Sequence, residues 1–215
     1  MPRLLDRITR SACACIVSIA ALNVHAAEPP TENHIEAVWK AQSIVFDYRS
    51  EGRTYRCDIL EYKIKAILQR LGARDRLELH RYACRDLAGR ARFEVVMESP
   101  VEATKENVHE ITRYDSKDEL VARVHGVSLP SPADVERFPA IWESISFRRD
   151  RELHLDAGDC ALVQQVRHQI LPRMSVQVTK DIKVVDCAQE LTGIVGPRLT
   201  VVALVPANVQ QASAH

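Results

Sequence analysis

Two stretches of this chain carry the same spacing of apolar positions. Ile59, Leu60, Ile64, Ile67, Leu68 and Leu71 fall on one stripe of a 3.6-residue period, and Leu162, Val163, Val166, Ile170 and Leu171 form a second. Each stripe predicts an amphipathic helix with one face turned to a core. Around them the period changes to two. Ile44, Phe46 and Tyr48 alternate with Ser43, Val45 and Asp47, and Leu77 and Leu79 with Arg76, Glu78 and His80. Phe93, Val95 and Met97 alternate with Glu94, Val96 and Glu98, and Ile145 and Phe147 with Ser144, Ser146 and Arg148. Val176 and Val178 open a strand region running to Cys187, and residues 199–205 form the last strand. Such alternation predicts strands with one buried face. Asp58 and Glu61 have the spacing of a capping box, and Gly72 suits a helix stop. Asp159 is the expected N-cap of the second helix and Pro172 its stop. Pro100 and Pro206 are the expected ends of the third and last strands.

The two helices belong to a larger repeat. Cys57 and Cys84 are 27 positions apart, and so are Cys160 and Cys187. A shift of 103 superimposes these intervals and also brings Trp39 onto Trp142, Ile67 onto Ile170, Leu68 onto Leu171 and Arg70 onto Arg173. Each copy reads β-α-β-β. Striped helices and one-faced strands must cover each other, so the expectation is an α+β protein. In it, antiparallel sheets each pack one helix and the units are related by a pseudo-two-fold, with one disulfide per repeat. The pattern leaves open whether the sheets fuse. The copies span 27–100 and 141–206, joined by a connector, 101–140, and followed by a flexible tail, 207–215. In the connector Thr104 is the expected cap of a short helix bearing Val108 and Ile111. Residues 119–124 read equally as strand or helix, and Ser131-Pro132 starts at most one helical turn.

Residues 1–26 read as an export signal. Arg3, Arg7 and Arg10 precede an apolar run, 12–24, too short for a stable bilayer anchor, and Val24-His25-Ala26 fits a small-x-small cleavage site. The competing reading is a buried apolar first helix. The whole chain has 29 basic and 29 acidic residues. Removing three Arg and one Asp with the signal leaves 26 and 28, a net charge of −2. That balance gives no global attraction to nucleic acid or acidic membranes, and no later apolar run approaches membrane-span length. The expected location is periplasmic or secreted, with no transmembrane anchor after cleavage. Four cysteines remain in an oxidising compartment, and the repeat selects the pairs Cys57–Cys84 and Cys160–Cys187. Each closes a loop worth about 3.5 kcal/mol in the chain-entropy model. A four-cysteine zinc site is the rival, but it favours close C-x-x-C pairs, which this sequence lacks.

The segments Val38-Trp39, Phe46-Asp47-Tyr48-Arg49-Ser50, Cys57, Leu71-Gly72-Ala73, Ser99-Pro100-Val101-Glu102-Ala103-Thr104 and Gly158-Asp159-Cys160 together resemble a group of exported proteins of Gram-negative bacteria with no assigned activity. The resemblance covers nearly all of the chain after the signal. It implies a periplasmic or secreted protein and brings no catalytic residue with it.

Candidate chemistry is sparse. Gly126-Val127-Ser128 continues as Leu129-Pro130 and lacks the second glycine of a nucleophile elbow. There is no P-loop, H-E-x-x-H or EF-hand pattern, and the histidines are scattered singly. Cys160 beside Asp159, with His154 nearby, is a candidate thiol nucleophile only if it is free, which a bond to Cys187 would prevent. No catalytic residue, metal or cofactor is expected. The one suggestive feature is arginine at corresponding strand ends: Arg49, Arg53 and Arg56 in the first copy, and Arg148, Arg149 and Arg151 in the second. Tyr48 and Tyr55 lie among the first set. Arginine forks suit phosphate and carboxylate, and tyrosine can stack on sugars. The competing reading is that Asp47, Glu51, Asp150 and Glu152 neutralise these arginines locally. The expected function is a non-enzymatic envelope protein that binds a glycan, a lipid head group or another envelope protein. The alternative is an envelope hydrolase whose residues converge only in the fold.

Overall fold

The alternation around Ile44, Phe46 and Tyr48 belongs to a strand of 15 residues, β1 (Ile35–Arg49), longer than its apolar pattern announces. A computed structural model of the chain describes residues 34–50, 53–84, 87–182 and 197–207. After β1 come a two-residue strand, β2 (Tyr55–Arg56), helix α1 (Cys57–Arg70), and strands β3 (Glu78–Ala83), β4 (Leu87–Ala88) and β5 (Arg90–Glu102). Helices α2 (Lys105–Ile111) and α3 (Ser116–His125) follow, then β6 (Arg137–Ser146), a 3-10 turn at Ala157–Asp159, α4 (Cys160–Gln169), a second 3-10 turn at Leu171–Arg173, β7 (Val176–Lys180) and β8 (Thr200–Pro206).

The result is an α+β architecture with one antiparallel sheet in the order β3-β5-β1-β6-β8-β7, so the strands do fuse. A separate two-stranded ribbon joins β2 to β4. The central junction is short. β1 meets β6 over four residue pairs only, Ile35↔Ala140 to Val38↔Arg137, while it runs beside β5 over thirteen pairs, from Ala37 to Arg49. The two helical stripes enter one core with Phe46, Tyr48, Phe93, Val95, Ile145, Val201, Ala203 and Val205. On the sheet's other face Trp39 stacks on Phe138 with centroids 4.3 Å apart, and the Arg74 guanidinium lies 4.9 Å from the Trp39 ring.

The first helix ends as expected. Gly72 has φ 94°, its N–H donates to Gln69 C=O, and Ala73 N–H donates to Leu68 C=O. This Schellman closure needs a residue without a Cβ at the left-handed position. A Cβ there would also meet the Leu204 carbonyl oxygen at 2.7 Å. The caps at the helix starts differ from expectation. Arg56 occupies the N-cap of α1 without a side-chain bond, so Asp58 and Glu61 form no capping box, and Glu61 instead accepts from Arg81. Asp159 precedes α4 but makes no cap bond to it, because its carboxylate is turned into the core. Thr104 does cap α2, accepting from Asn107 N–H at 3.2 Å. The undecided 119–124 stretch is helix, started by a capping box between Asp115 and Asp118.

Pro100, the expected end of the third strand, lies inside a strand, and so does Pro139, in the stretch expected as a connector. β5 runs two residues past Pro100, and β6 contains Pro139. Backbone groups alternate sides along an antiparallel strand. The C=O of Glu98 accepts from Arg74, away from β1, so the missing N–H of Pro100 also faces away from β1, beyond the last β3 pair at Glu78↔Val96. Pro139 C=O accepts from Ala207, past the end of the β6–β8 ladder at Ala140↔Pro206. Neither proline removes a ladder bond, which is where proline is tolerated.

Cys57 and Cys84 form the expected disulfide. This excludes a four-cysteine zinc site. Cys160 is engaged in a disulfide and is 3% exposed, so it is no free nucleophile. Its expected partner Cys187 lies outside the described residues, as do the export signal, Glu51 and the tail beyond Ala207.

Candidate binding surface and its buried support

The segment from Arg148 to Asp159 runs along α1 in the opposite direction, and a row of α1 side chains holds it. Arg70, at the helix end, donates to Asp150 at 2.6 Å and to Glu143 of β6 at 2.5 and 3.1 Å. Glu152 lies 3.6 Å from the same guanidinium. Lys63 sits seven residues earlier, two turns up the same face. It donates to His154 C=O at 3.0 Å and to Asp159 Oδ2 at 2.7 Å. Beyond the helix start, Tyr55 OH donates to Asp159 Oδ1 at 2.5 Å, and Arg53 donates to Asp156.

Asp159 is the centre of this network and is fully buried. Its Oδ2 also accepts from Asp156 N–H at 2.8 Å, within the capping box of the 3-10 turn. Both carboxylate oxygens and the Lys63 ammonium are therefore partnered, as buried charge requires. His154, whose carbonyl receives Lys63, holds φ 48°, a left-handed conformation that costs about 1 kcal/mol or more for a residue with a Cβ. Burial and the hydrogen bond to Asp159 push the Tyr55 hydroxyl far above its ordinary range. For Asp156, burial acts upward, but the hydrogen bond and charge of Arg53 outweigh it and hold the carboxyl below its usual range.

The arginines read from the sequence divide into two groups. Arg53 pairs with Asp156, and Arg56 with Asp58 at 3.0 Å. Arg49, Arg148, Arg149 and Arg151 are exposed and form no ion pair among the described residues. Of the acids that might have neutralised them, the three described ones lie against other arginines. Asp150 and Glu152 face Arg70, and Asp47 accepts from Arg92 at 2.6 and 3.0 Å. The tyrosines are not presented to a ligand. Tyr48 is 1% exposed and donates to Arg53 C=O, and Tyr55 is 3% exposed with its hydroxyl on Asp159. Arg148, Arg149 and Arg151 share one turn at the end of β6, separate from the Arg53–Asp156 contact that joins the two segments.

Lys63, Arg70 and Asp159 carry most of these bonds, and Gln165 and Gln169 of α4 add others to the backbone of Arg49 and Asp47; the sequence pointed to Asp159 only as a helix cap and to Arg70 only as a repeat match. A signal was present for Lys63. It is three residues after Leu60 and four before Ile67, a charged residue inside the apolar stripe of α1, buried to 8% exposure. Gln165 and Gln169 gave none, because an amide on a helix flank is ordinary.

A groove of about 610 Å³ at the start of α1 is lined by Arg56, Cys57, Asp58, Arg81, Cys84 and Leu87, with its carboxylate, Asp58, paired to Arg56. Among the described residues, no group of three His, Cys, Asp or Glu side chains is placed to hold a metal ion, and no helix is long and apolar enough to cross a membrane. The His80–Glu78 contact, 3.4 Å, lies on the exposed edge strand β3, with both side chains more than half exposed. The chain matches no known family model, no curated protein and no solved structure.

Proposed function

We propose that this is an exported, disulfide-stapled envelope protein, built by duplication of a β-α-β-β unit, that binds an anionic ligand through the arginine turn Arg148–Arg151. The ligand class is a phosphorylated glycan or an anionic lipid head group. The observation that carries the reading is the bond of Asp150 to Arg70, with Glu152 3.6 Å from the same guanidinium, while Arg148, Arg149 and Arg151 are exposed and form no ion pair among the described residues. A cluster of unpaired guanidinium forks favours phosphate and carboxylate oxygens. The duplication is supported by the strand order. In β3-β5-β1 and β6-β8-β7 each half places its first strand at the junction and its last strand in the middle. By that reading, Cys160 pairs with Cys187 as Cys57 pairs with Cys84.

The hydrolase alternative receives less support. The buried carboxylate of Asp159 is held by Lys63 and Tyr55, and the less buried Asp150 and Asp156 by Arg70 and Arg53, rather than by histidine. A network of that kind organises a scaffold and offers no proton to a substrate.

The test uses the mature protein against lipopolysaccharide and against phosphatidylglycerol vesicles. Arg148→Ala/Arg149→Ala should lower affinity about tenfold or more, and raising salt from 50 to about 500 mM should weaken the wild type in the same direction. Equal binding by the wild type and the double variant would retire the reading.

A further inference from the structure

We propose that the open flank of β1 between Ala41 and Val45 is a docking edge for an extended acidic peptide segment, with Arg173 receiving one of its carboxylates. This site uses none of the residues of the arginine turn and stands independently of it.

The open flank is defined by which way the backbone of β1 faces. Asp47 N–H donates to Gln169 Oε1 and Asp47 C=O accepts from Gln169 Nε2, both at 2.8 Å. Arg49 is held identically by Gln165, at 2.7 Å each way. The two glutamine amides thus act as a substitute strand on the flank of β1 away from β5. Backbone N–H and C=O groups point to alternate flanks along a strand, so Ala41, Ser43 and Val45 face the same way as Asp47 and Arg49. β6 reaches this flank only as far as Val38. Among the described residues nothing bonds the backbone of Ala41, Ser43 or Val45 on that side.

The helix spacing continues the line. Four helical residues rise about 6 Å and two strand residues about 6.6 Å, which is why Gln165 and Gln169 match Arg49 and Asp47. α4 itself ends at Gln169, and the 3-10 turn after it brings position 173 to the groove beside position 45. Arg173 does line the groove there, about 380 Å³ in volume, with Ser43, Ile44, Val45 and Gln169. Its side chain is exposed and forms no ion pair or hydrogen bond among the described residues. Arg49, at the other end of the glutamine pair, is also without an ion pair among them.

Sheet edges are usually guarded by charge, proline or distortion. The outer strand β3 follows that rule with Glu78, His80 and Arg81, and a register shift between Arg81 and Ala83. The open stretch of β1, Ala41-Gln42-Ser43-Ile44-Val45, has no charge and no proline, and Val45 is 53% exposed. An unguarded edge ending at an unpaired guanidinium fits an added strand that carries negative charge. The strand's backbone supplies the affinity and its carboxylate fixes where it stops.

The probe is the acetylated peptide Thr-Val-Thr-Val-Glu-Glu, titrated into the mature, isotope-labelled protein and followed by amide resonances and hydrogen exchange. Expected are saturable shifts at Ala41, Ser43 and Val45 and slower exchange of their amides. A peptide N-methylated at alternate residues should bind at least about tenfold more weakly, and so should the Gln-Gln amide or the wild-type peptide with Arg173→Gln. Ser43→Pro, which removes one N–H from the edge, should abolish binding. If that variant fails to fold, the N-methylated peptide carries the same test. The Arg148→Ala/Arg149→Ala variant should bind the peptide like the wild type, which separates this site from the arginine turn. Three results overturn the proposal: no perturbation at 41–45 with millimolar peptide, equal binding of the N-methylated peptide, or slow exchange of these amides before peptide is added, since the last means the chain's own residues already cover the edge.

Discussion

Asp159→Asn is the most informative single change in this molecule. The carboxylate is fully buried and Lys63, its partner, keeps only 10% of its side chain exposed. Removing the charge preserves the shape of the side chain but leaves the ammonium without its counter-ion at 2.7 Å and puts an amide against it. Breaking one side of a buried pair costs about 3–5 kcal/mol, most of it the stranded charge. A chain of this size has a urea slope of about 2 kcal/mol per molar, so the midpoint should fall by about 2 M. The melting temperature should fall by about 6–20 °C, at 2–4 °C per kcal/mol. Lys63→Met strands the opposite charge and should cost a comparable amount. The combination Lys63→Met/Asp159→Asn strands neither, so its loss should be well below the sum, with a coupling energy of about 2–3 kcal/mol. Urea unfolding of the wild type, both singles and the double gives that number directly. Costs that add to within about 0.5 kcal/mol, or an Asp159→Asn loss under about 1 kcal/mol, would refute the view that this pair joins α1 to the segment before α4.

Two further outcomes follow from neighbouring geometry. Stability should depend on pH at both ends of the range. Asp47 is held low by its hydrogen bond to Arg92, and Glu61 and Asp156 are pulled down by Arg81 and Arg53 respectively against an upward push from burial. Groups depressed in the folded state stabilise above their unfolded values, near pH 4, and that stability is lost as pH falls through the folded values, so the melting temperature should drop steadily below about pH 4. Tyr55 is shifted upward, so its contribution is complete below about pH 10 and is lost as pH rises beyond that; Tyr55→Phe should flatten the alkaline limb of the stability curve, and an unchanged limb would refute the assignment. Gly72→Ala should destabilise by about 2 kcal/mol or more, since it needs both a left-handed alanine and a shift of the Leu204 carbonyl, and a melting curve within 1 °C of wild type would contradict the Schellman closure.

Much of the fold was legible because it rests on periodicity. The stripes of α1 and α4 are buried as read, apart from Ile59, which is 43% exposed at the helix start. The α+β class, the Thr104 cap and the Gly72 stop were readable from local pattern, and the Cys57–Cys84 bond from the repeated 27-residue interval. The errors have one physical source, which is tertiary bonding overriding a local preference. Asp159 has the sequence position of an N-cap but bonds to Lys63 and Tyr55, because a buried ammonium is worth more to a carboxylate than a helix start. Pro100 and Pro139 look like strand terminators but fall where no neighbouring strand needs their N–H. The arginine edges were visible as residues. Which arginines stay unpaired was not, since that depends on Arg70 reaching Asp150 across 80 positions.

The short junction between the two halves of the sheet explains why so many polar side-chain bonds cross from one half to the other. Four residue pairs join β1 to β6, against thirteen between β1 and β5. A sheet held at its centre by so short a ladder would be free to hinge unless other bonds crossed it. The crossing bonds are those the apolar pattern does not predict: Gln165 and Gln169 from α4 onto β1, Arg70 from α1 onto β6, and Lys63, Tyr55 and Arg53 onto the turn before α4. Each links a residue of the first half of the sequence to one of the second. Hydrophobic burial is non-directional and tolerates sliding, whereas charge-assisted hydrogen bonds fix position. The relative placement of the halves is therefore set by a few polar side chains rather than by the ladder. The same arrangement leaves the middle of β1 uncovered, because the glutamines stop at Asp47 and β6 stops at Val38.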